Sequence, residues 1–234
     1  MKVEVWSDYV CPFCYIGKRQ LEQSIKDAGF EGQIEVVLKS YLLDPNTPVD
    51  SDKSVYASLS KKYNISEEQA KEMTKNVAER AQEVGLDYNF DIMTEANTIA
   101  AHRLAKWANT IGKGAELSER LLKSYFLEGG SIGKQEVLLS LAGDVGLEQA
   151  EAQEILKGDQ FLDEVQQDIS EAQDLGVRGV PFFVVDNKYG ISGAQPKALF
   201  DQTIAKAADE AGLKPKLRMV GEAGAVCTDD QCEF

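Results

Sequence analysis

Apolar and polar positions near the N-terminus alternate as expected for a compact α/β unit. Residues 3–6 (Val-Glu-Val-Trp) are strand-like, and apolar side chains recur at helical spacing between residues 14 and 28. A glycine at position 29 marks the helix end, and the apolar run over residues 34–41 predicts a buried strand. We interpret this region as a βαβ unit.

The pattern then becomes helical for about 130 residues, far longer than an ordinary connection between strands. A capping box, Ser66-Glu67-Glu68-Gln69, marks the start of one helix, and apolar residues recur every three or four positions after it. The spacing predicts helices over residues 66–84, 95–111, 116–127, 134–145, 147–156 and 161–174.

Strand character returns at Pro181-Phe182-Phe183-Val184-Val185, followed by a turn and a short paired strand over residues 189–193. A last helix is predicted from Pro196 to Gly212. The simplest assembly is one α/β domain built from residues 1–44 and 177–213, with residues 45–176 as an inserted helical domain. Residues 214–234, rich in glycine and charge, are predicted to form a flexible tail.

The chain has 234 residues and a net charge of −14, which argues against nucleic acid or an anionic membrane as a partner. No apolar run approaches the length of a membrane-spanning helix. The N-terminus leads directly into a strand, with no recognisable signal peptide, so we expect a cytoplasmic protein that is a monomer or a weak dimer.

Two cysteines, Cys11 and Cys14, enclose Pro12 and Phe13 between the first strand and the first helix. Free N–H groups and a partial positive charge at a helix N-terminus stabilise a thiolate there. Cys11 is therefore expected to be the nucleophile, and Cys14, one turn inside, to resolve the mixed disulfide. The alternative is half of a structural zinc site, for which His102 and the tail cysteines are the other candidate ligands. We expect no metal and no cofactor.

A second signal lies in Gly179-Val180-Pro181-Phe182-Phe183. Proline is tolerated at the first residue of a strand, and X-Pro bonds are where cis peptides occur. A cis Val180–Pro181 bond would leave the Val180 backbone free to pair with an extended peptide, whereas a trans proline would simply open the strand.

These residues together resemble the DsbA family of the thioredoxin superfamily, and most closely its FrnE-like branch. The resemblance rests on residues 7–17 (Ser-Asp-Tyr-Val-Cys-Pro-Phe-Cys-Tyr-Ile-Gly), the helical insertion, residues 179–183, and Asn97-Thr98 with Ala101-His102-Arg103-Leu104. It implies a thioredoxin fold with an all-helical insertion and a cis proline at Pro181 facing Cys11. It also implies dithiol–disulfide oxidoreductase or isomerase activity on a protein or small-thiol substrate.

Phe13 departs from the family pattern, because periplasmic DsbA proteins have histidine there. Phenylalanine cannot add charge beside the thiolate, so we expect a weaker oxidant than DsbA. Phe13 could instead contribute an apolar surface for substrate, with Val180 and Pro181. Asp8 could disfavour the thiolate or brace the turn.

His102, the single histidine, falls on the helix face opposite Leu104 and Trp107, so the spacing predicts that it is not core. It could face solvent or the cleft between the helical domain and the α/β domain. The resemblance makes a role facing the active site plausible.

Cys227 and Cys232 form a second close pair in the tail. They could be a second redox pair that exchanges with Cys11 and Cys14, or exposed thiols without a specific role, or a weak metal site. Two further classes compete with the oxidoreductase. One contains glutathione-dependent isomerases and kappa-type transferases, which tend to use a single Ser or Cys; the other is a zinc-binding interaction module.

Overall fold

The computed structural model describes residues 1–49, 51–216, 226–227 and 232–233. Four strands form one mixed sheet in the order β2-β1-β3-β4, in which β1 runs parallel to β2 and antiparallel to β3, and β3 runs antiparallel to β4. The strands are β1 (Lys2–Ser7), β2 (Glu35–Ser40), β3 (Phe182–Val185) and β4 (Tyr189–Ser192). The two ends of the chain thus build one sheet, as the sequence predicts.

Helices account for most of the rest of the described chain, and seven of them lie between β2 and β3. This order confirms a thioredoxin-like α/β fold with a helical insertion; the exact domain boundaries stay a prediction. The helices are α1 (Pro12–Asp27), α2 (Val55–Tyr63), α3 (Glu67–Gln82), α4 (Ile99–Thr110), α5 (Gly114–Glu128), α6 (Gln135–Asp144), α7 (Gln149–Lys157), α8 (Leu162–Asp174) and α9 (Lys197–Glu210), with a 3₁₀ turn at Phe90–Ile92.

The two faces of the sheet are covered by different elements. Alternate residues of β1 and β3 pack against α1 and α9 on one face, where Leu21, Phe183 and Phe200 are fully buried. On the other face Trp6 packs against Ala172 of α8. A separate core fills the helical segment and extends onto Tyr15 and Ile16 of α1, so α1 is shared between two cores.

Helix boundaries differ from the prediction where side chains make tertiary contacts. The Ser66–Gln69 capping box begins α3 as predicted. The helix predicted from residue 95 begins only at Ile99, because the Asn97 side chain accepts a hydrogen bond from the Ile99 N–H and donates to the carbonyl oxygen of Thr47. The sequence analysis did not predict α2, a short helix in which no residue is fully buried, although Val55 and Tyr56 pack against the helical core.

A buried carboxylate, Asp168 of α8, joins three elements of the fold. Its Oδ2 accepts the N–H of Ser40 at 2.6 Å, and its Oδ1 lies 2.9 Å from Nζ of Lys39 on β2. Lys106 of α4 also pairs with it. Nε1 of Trp6 donates to the Asp168 carbonyl oxygen at 2.7 Å. The contacts with Ser40, Lys39 and Lys106 satisfy the carboxylate charge, which would otherwise be costly to bury, and the Trp6 bond joins β1 to the backbone of α8.

After α9 the chain returns to the loop that follows α1. The Lys216 N–H donates to the carbonyl oxygen of Gly29 at 2.8 Å, and Nε2 of Gln33 donates to that of Lys214 at 3.0 Å. Two short strands, β5 (Val226–Cys227) and β6 (Cys232–Glu233), pair antiparallel with Cys227 opposite Cys232. The flexibility predicted for the tail concerns mainly residues outside the described ranges.

None of the helices formed by the described residues is long and apolar enough to cross a membrane.

Replacing Asp168 with alanine should lower the free energy of unfolding by about 3 kcal/mol, because Lys39 and Lys106 lose their buried partner. The matched control is Asp163→Ala, an exposed acid on the same helix, for which we expect a change below about 1 kcal/mol. Urea unfolding followed by circular dichroism measures both. Equal losses in the two variants would contradict a special role for Asp168.

Candidate active site

Cys11 occupies the N-cap position of α1, with Pro12 in the first turn. The Cys11 N–H donates to the carbonyl oxygen of Asp8 at 3.1 Å, and the Cys14 N–H donates to that of Cys11 at 3.0 Å. Both cysteines are free thiols. Pro12 lacks an N–H, and the first turn of a helix is where that donor is not needed. The tetrapeptide thus forms a tight turn that presents both thiols at one end of α1.

The Cys11 thiol faces the loop that leads into β3. Its Sγ donates to the carbonyl oxygen of Val180 at 3.5 Å, and the Val180–Pro181 peptide bond is cis. The Pro181 carbonyl oxygen is already used, since it accepts the Gly193 N–H at 2.8 Å. The structure therefore brings Cys11, Val180 and Pro181 together, although they are far apart in sequence.

The two thiols differ in environment. Cys11 is 4% exposed and Cys14 is 1% exposed. Burial raises the pKa of the Cys14 thiol well above its ordinary value, and the neighbouring Cys11 thiol raises it further. Hydrogen bonds from the Ser7 hydroxyl and the Asp8 backbone lower this pKa only in part. Cys14 is therefore protonated at neutral pH.

Close packing behind the motif requires a glycine at position 17. A Cβ there would lie 2.9 Å from Cζ of Phe183 and 3.2 Å from Cγ of Pro181. Without one, α1 can approach the Pro181 loop closely enough for Cys11 to reach the Val180 carbonyl. Gly17 thus sets the spacing between the two halves of the site.

The helical segment holds the same end of α1 from the other side. The Tyr88 hydroxyl donates to the Pro12 carbonyl oxygen at 2.8 Å, and the Tyr15 hydroxyl donates to Oε1 of Glu119 at 2.6 Å. Burial would raise the pKa of the Glu119 carboxyl, but Lys18, Tyr15 and Arg19 outweigh it and lower that pKa. Glu119 is therefore an ionised anchor for α1.

Phe13 is half-buried and lies under a cation. The guanidinium of Arg80 lies 5.1 Å from the centroid of the Phe13 ring, and its Nη2 donates to the Ala194 carbonyl oxygen at 3.1 Å. Arg80 belongs to α3, whereas Ala194 follows β4. A cation from the helical segment is thus held over the Phe13 ring, within the redox motif.

The expectation that His102 is not core is wrong. His102 is 4% exposed, and its Nε2 lies 3.4 Å from Oδ1 of Asp8, which is 1% exposed. The face of α4 opposite Leu104 packs against the turn before Cys11, so both faces of this helix are covered. His102 therefore lies at the interface between α4 and that turn, on the side where the helical segment meets the α/β domain, which is one of the two positions expected from the sequence.

Asp8 braces the turn, one of the two roles considered from the sequence. Its Oδ2 accepts the Leu43 N–H at 2.8 Å, in addition to its backbone contact with Cys11. Sequence reasoning missed Tyr88, Arg80 and Glu119, because each reaches the motif through tertiary contacts that no local spacing reveals. Ser7 was part of the recognised motif, but no role was assigned to it.

Within the described part of the chain, no three His, Cys, Asp or Glu side chains are grouped closely enough to bind a metal ion. The side chains of Cys227 and Cys232 lie outside what the structure describes.

Comparison with known proteins places this geometry in context. The family model of the DSBA-like thioredoxin domain matches residues 2–215. The chain is 34% identical to a probable DsbA oxidoreductase from Streptomyces coelicolor, whose crystal structure superimposes with a TM-score of 0.84 and coverage of 100% of this chain and 99% of that one.

Two further proteins are similar. An uncharacterised protein from Bacillus subtilis, YwbO, is 28% identical over 210 residues, which cover 87% of this chain and 95% of that protein. The cytosolic disulfide reductase DsbM from Pseudomonas aeruginosa, solved with GSH, shares the fold at 17% identity and a TM-score of 0.61, with coverage of 91% of this chain and 98% of that one.

Limited alkylation with iodoacetamide at pH 7 should modify Cys11 at least roughly tenfold faster than Cys14, because a thiol with a raised pKa has little thiolate at that pH. Peptide mass mapping of a Cys227→Ser/Cys232→Ser variant measures both rates. Faster modification of Cys14 would contradict the assigned difference between the thiols.

Proposed function

Because this chain belongs to the DSBA-like thioredoxin family, we propose that it is a thiol–disulfide oxidoreductase in which Cys11 attacks and Cys14 resolves. The observation that carries the proposal is the pair of free thiols at the N-terminus of α1, with Cys11 facing the Val180 carbonyl and Cys14 sealed behind it. We also propose that it belongs to the FrnE-like branch, as the sequence motifs indicate, and that it acts in the cytoplasm.

The reaction needs no group beyond the two cysteines and the substrate. The Cys11 thiolate attacks one sulfur of a substrate disulfide, forming a mixed disulfide and releasing the other sulfur as a thiolate. Cys14, once deprotonated, attacks the Cys11 sulfur and releases the remaining substrate thiolate. The substrate disulfide is reduced and the Cys11–Cys14 pair is oxidised; the reverse sequence oxidises a substrate dithiol.

Val180, Pro181 and Phe13 are proposed to bind the substrate. The Val180 carbonyl already lies within reach of Cys11, so a peptide paired with the Val180 backbone would place its sulfur at the nucleophile. The half-buried Phe13 adds apolar surface at the same position. We propose a disulfide- or dithiol-containing protein or a small thiol as the partner. In support, DsbM, which shares this fold, was solved with GSH.

Isomerase activity is the second candidate. It requires that the mixed disulfide on Cys11 survives long enough to be attacked by another substrate thiol. The raised pKa of Cys14 favours this, because it slows the resolving attack at neutral pH. Reactivation of scrambled ribonuclease would measure the activity directly.

Replacing Cys11 with serine should abolish insulin reduction, whereas Cys14→Ser should accumulate a mixed disulfide with substrate, because the resolving thiol is absent. Turnover and mass spectrometry separate the two variants. Full glutathione-dependent turnover in Cys14→Ser would favour a glutathione-dependent isomerase or transferase instead. One equivalent of zinc with no turnover would favour a zinc-binding module.

We further propose that Cys227 and Cys232 exchange with the Cys11–Cys14 pair. The chain is anchored at Lys216 beside Gly29, at the far end of α1, whose 16 residues span about 24 Å. The 11 residues from Lys216 to Cys227 can extend up to roughly 36 Å, so the tail is long enough to reach Cys11. Cys227 and Cys232 face each other across two short strands, which suits a pair that opens and closes as one unit.

Mild oxidation of the Cys14→Ser variant should trap an intramolecular disulfide between Cys11 and Cys227 or Cys232. Non-reducing electrophoresis and peptide mass mapping identify it, and the yield should not depend on protein concentration. The control variant carries Cys14→Ser together with Cys227→Ser and Cys232→Ser. Absence of any disulfide between Cys11 and the tail would remove the second pair from the mechanism.

A further inference from the structure

The proposed reaction requires Cys14 to lose a proton, yet the thiol has almost no contact with solvent. Cys14 is 1% exposed, and its partners are the Cys11 thiol, the Ser7 hydroxyl and the Asp8 backbone. When Cys11 is held in a mixed disulfide, it cannot accept this proton. The Ser7 hydroxyl is then the one of these partners that can pass a proton onward, because a hydroxyl both donates and accepts.

Ser7 also lines a small cavity that leads away from the motif. The cavity has a volume of about 20 Å³, enough for one water molecule, and its wall combines polar groups, among them Ser7, His102 and Ser118, with aliphatic side chains. Its wall continues through Tyr9 and His102 to Asn109, which is exposed at the end of α4. The cavity therefore connects the hydroxyl beside Cys14 with the protein surface.

His102 is a base placed in the wall of this cavity. Its Nε2 faces Oδ1 of Asp8 at 3.4 Å; with Nε2 donating to that carboxylate, Nδ1 is left as the acceptor nitrogen. The Tyr9 ring lies 4.6 Å from the imidazole and is itself held by its hydroxyl bond to Ser118 at 2.9 Å. The buried Asp8 carboxylate would stabilise the imidazolium that forms on protonation.

The other charges around the cavity are paired with one another. Lys106 of α4 and Lys39 of β2 both bind Asp168 of α8, and Lys39 also pairs with Glu171 at 2.6 Å. Ser118 is the polar group that α5 contributes to the cavity wall, and Tyr9 comes from the turn before Cys11. Asp8, from the same turn, contacts His102 without lining the cavity. Asp8 is thus the acid that faces His102 directly.

We propose that Ser7, the water-sized cavity and the Asp8–His102 pair form the proton path for Cys14 in the resolving step, which rests on the function proposed above. The Cys14 proton passes to the Ser7 hydroxyl while Ser7 gives its own proton through a cavity water to His102. The Cys14 thiolate attacks the Cys11 sulfur, the Cys11–Cys14 disulfide forms, and the substrate sulfur leaves as a thiolate. The imidazolium then returns its proton to solvent along the cavity.

Reaction with 5,5′-dithiobis(2-nitrobenzoate) separates the attack by Cys11 from the attack by Cys14. The experiment uses the full chain carrying Cys227→Ser and Cys232→Ser. Attack by Cys11 releases the first thionitrobenzoate in a bimolecular phase; attack by Cys14 releases the second in a unimolecular phase. In His102→Gln we expect the second phase to slow by about 10²-fold, the lower end of what a positioned base contributes. The first phase should keep its rate.

The solvent deuterium isotope effect distinguishes a proton path from a structural role. The wild-type second phase should slow in D₂O by a factor that His102→Gln changes and that Ser118→Ala, which alters the same cavity wall without removing a base, retains. Ser7→Ala should slow the same phase, and the double variant should lose no more than the slower single one. Circular dichroism checks the fold. If His102→Gln does not fold, Ser7→Ala is compared with the wild type by the same measurements, and an unchanged second phase then overturns the proton path.

An unchanged second phase in both His102→Gln and Ser7→Ala, or equal slowing of both phases, would overturn the proton path. Neither result would affect the oxidoreductase function. That function fails on a different outcome: no fast first phase, or a second phase that persists in Cys14→Ser.

Discussion

The site depends on one constraint, the contact of helix α1 with two separate cores at once. Leu21 and the other residues further along α1 pack on the sheet, whereas Tyr15 and Ile16 pack into the helical segment. The Cys11 turn lies where these two surfaces meet. Gly17 sets how closely the helix approaches the Pro181 loop, and Tyr88 fixes the Pro12 carbonyl from the other side. The Cys11 thiol, held between the sheet and the helical segment, therefore has a defined partner before any substrate binds. That partner is the Val180 carbonyl.

This arrangement separates the two cysteines chemically although they are one turn apart. Cys11 is the N-cap residue of α1, close to the partial positive charge of the helix N-terminus. Cys14 is enclosed and has a raised pKa. An attacking thiol should be ionised and accessible, and a resolving thiol should wait until the mixed disulfide exists. Burial of Cys14 makes Cys11 the first thiol to react, without any further group. Burial also means that the Cys14 proton can leave only through neighbouring polar residues.

The sequence was sufficient for the features that depend on local chemistry. The Cys11–Cys14 turn, the Ser66 capping box and the strand after Pro181 each have a short signature, and the returning strand identified the α/β fold with its insertion. Features that depend on distant partners could not be predicted. The sequence left His102 facing either solvent or the cleft between the two domains, because its partner in that cleft, Asp8, is 94 residues away. The late start of α4 has the same origin, since Asn97 is occupied by the loop at Thr47. Helix α2 has only nine residues and none of them is fully buried, so it gives a weaker signal than the longer helices.

The contacts from Tyr88 and Glu119 to α1 have a consequence for how this protein can diverge. A helical segment that only covered the substrate could be shortened or exchanged without loss of the underlying fold. Here it supplies hydrogen bonds to the Pro12 carbonyl and the Tyr15 hydroxyl, so the redox helix and the helical segment form a single inherited unit. Substitutions at Tyr15 and Glu119 should therefore be found together among related proteins. If α1 of one relative is joined to the helical segment of another, the chimera should keep a matching pair at these two positions.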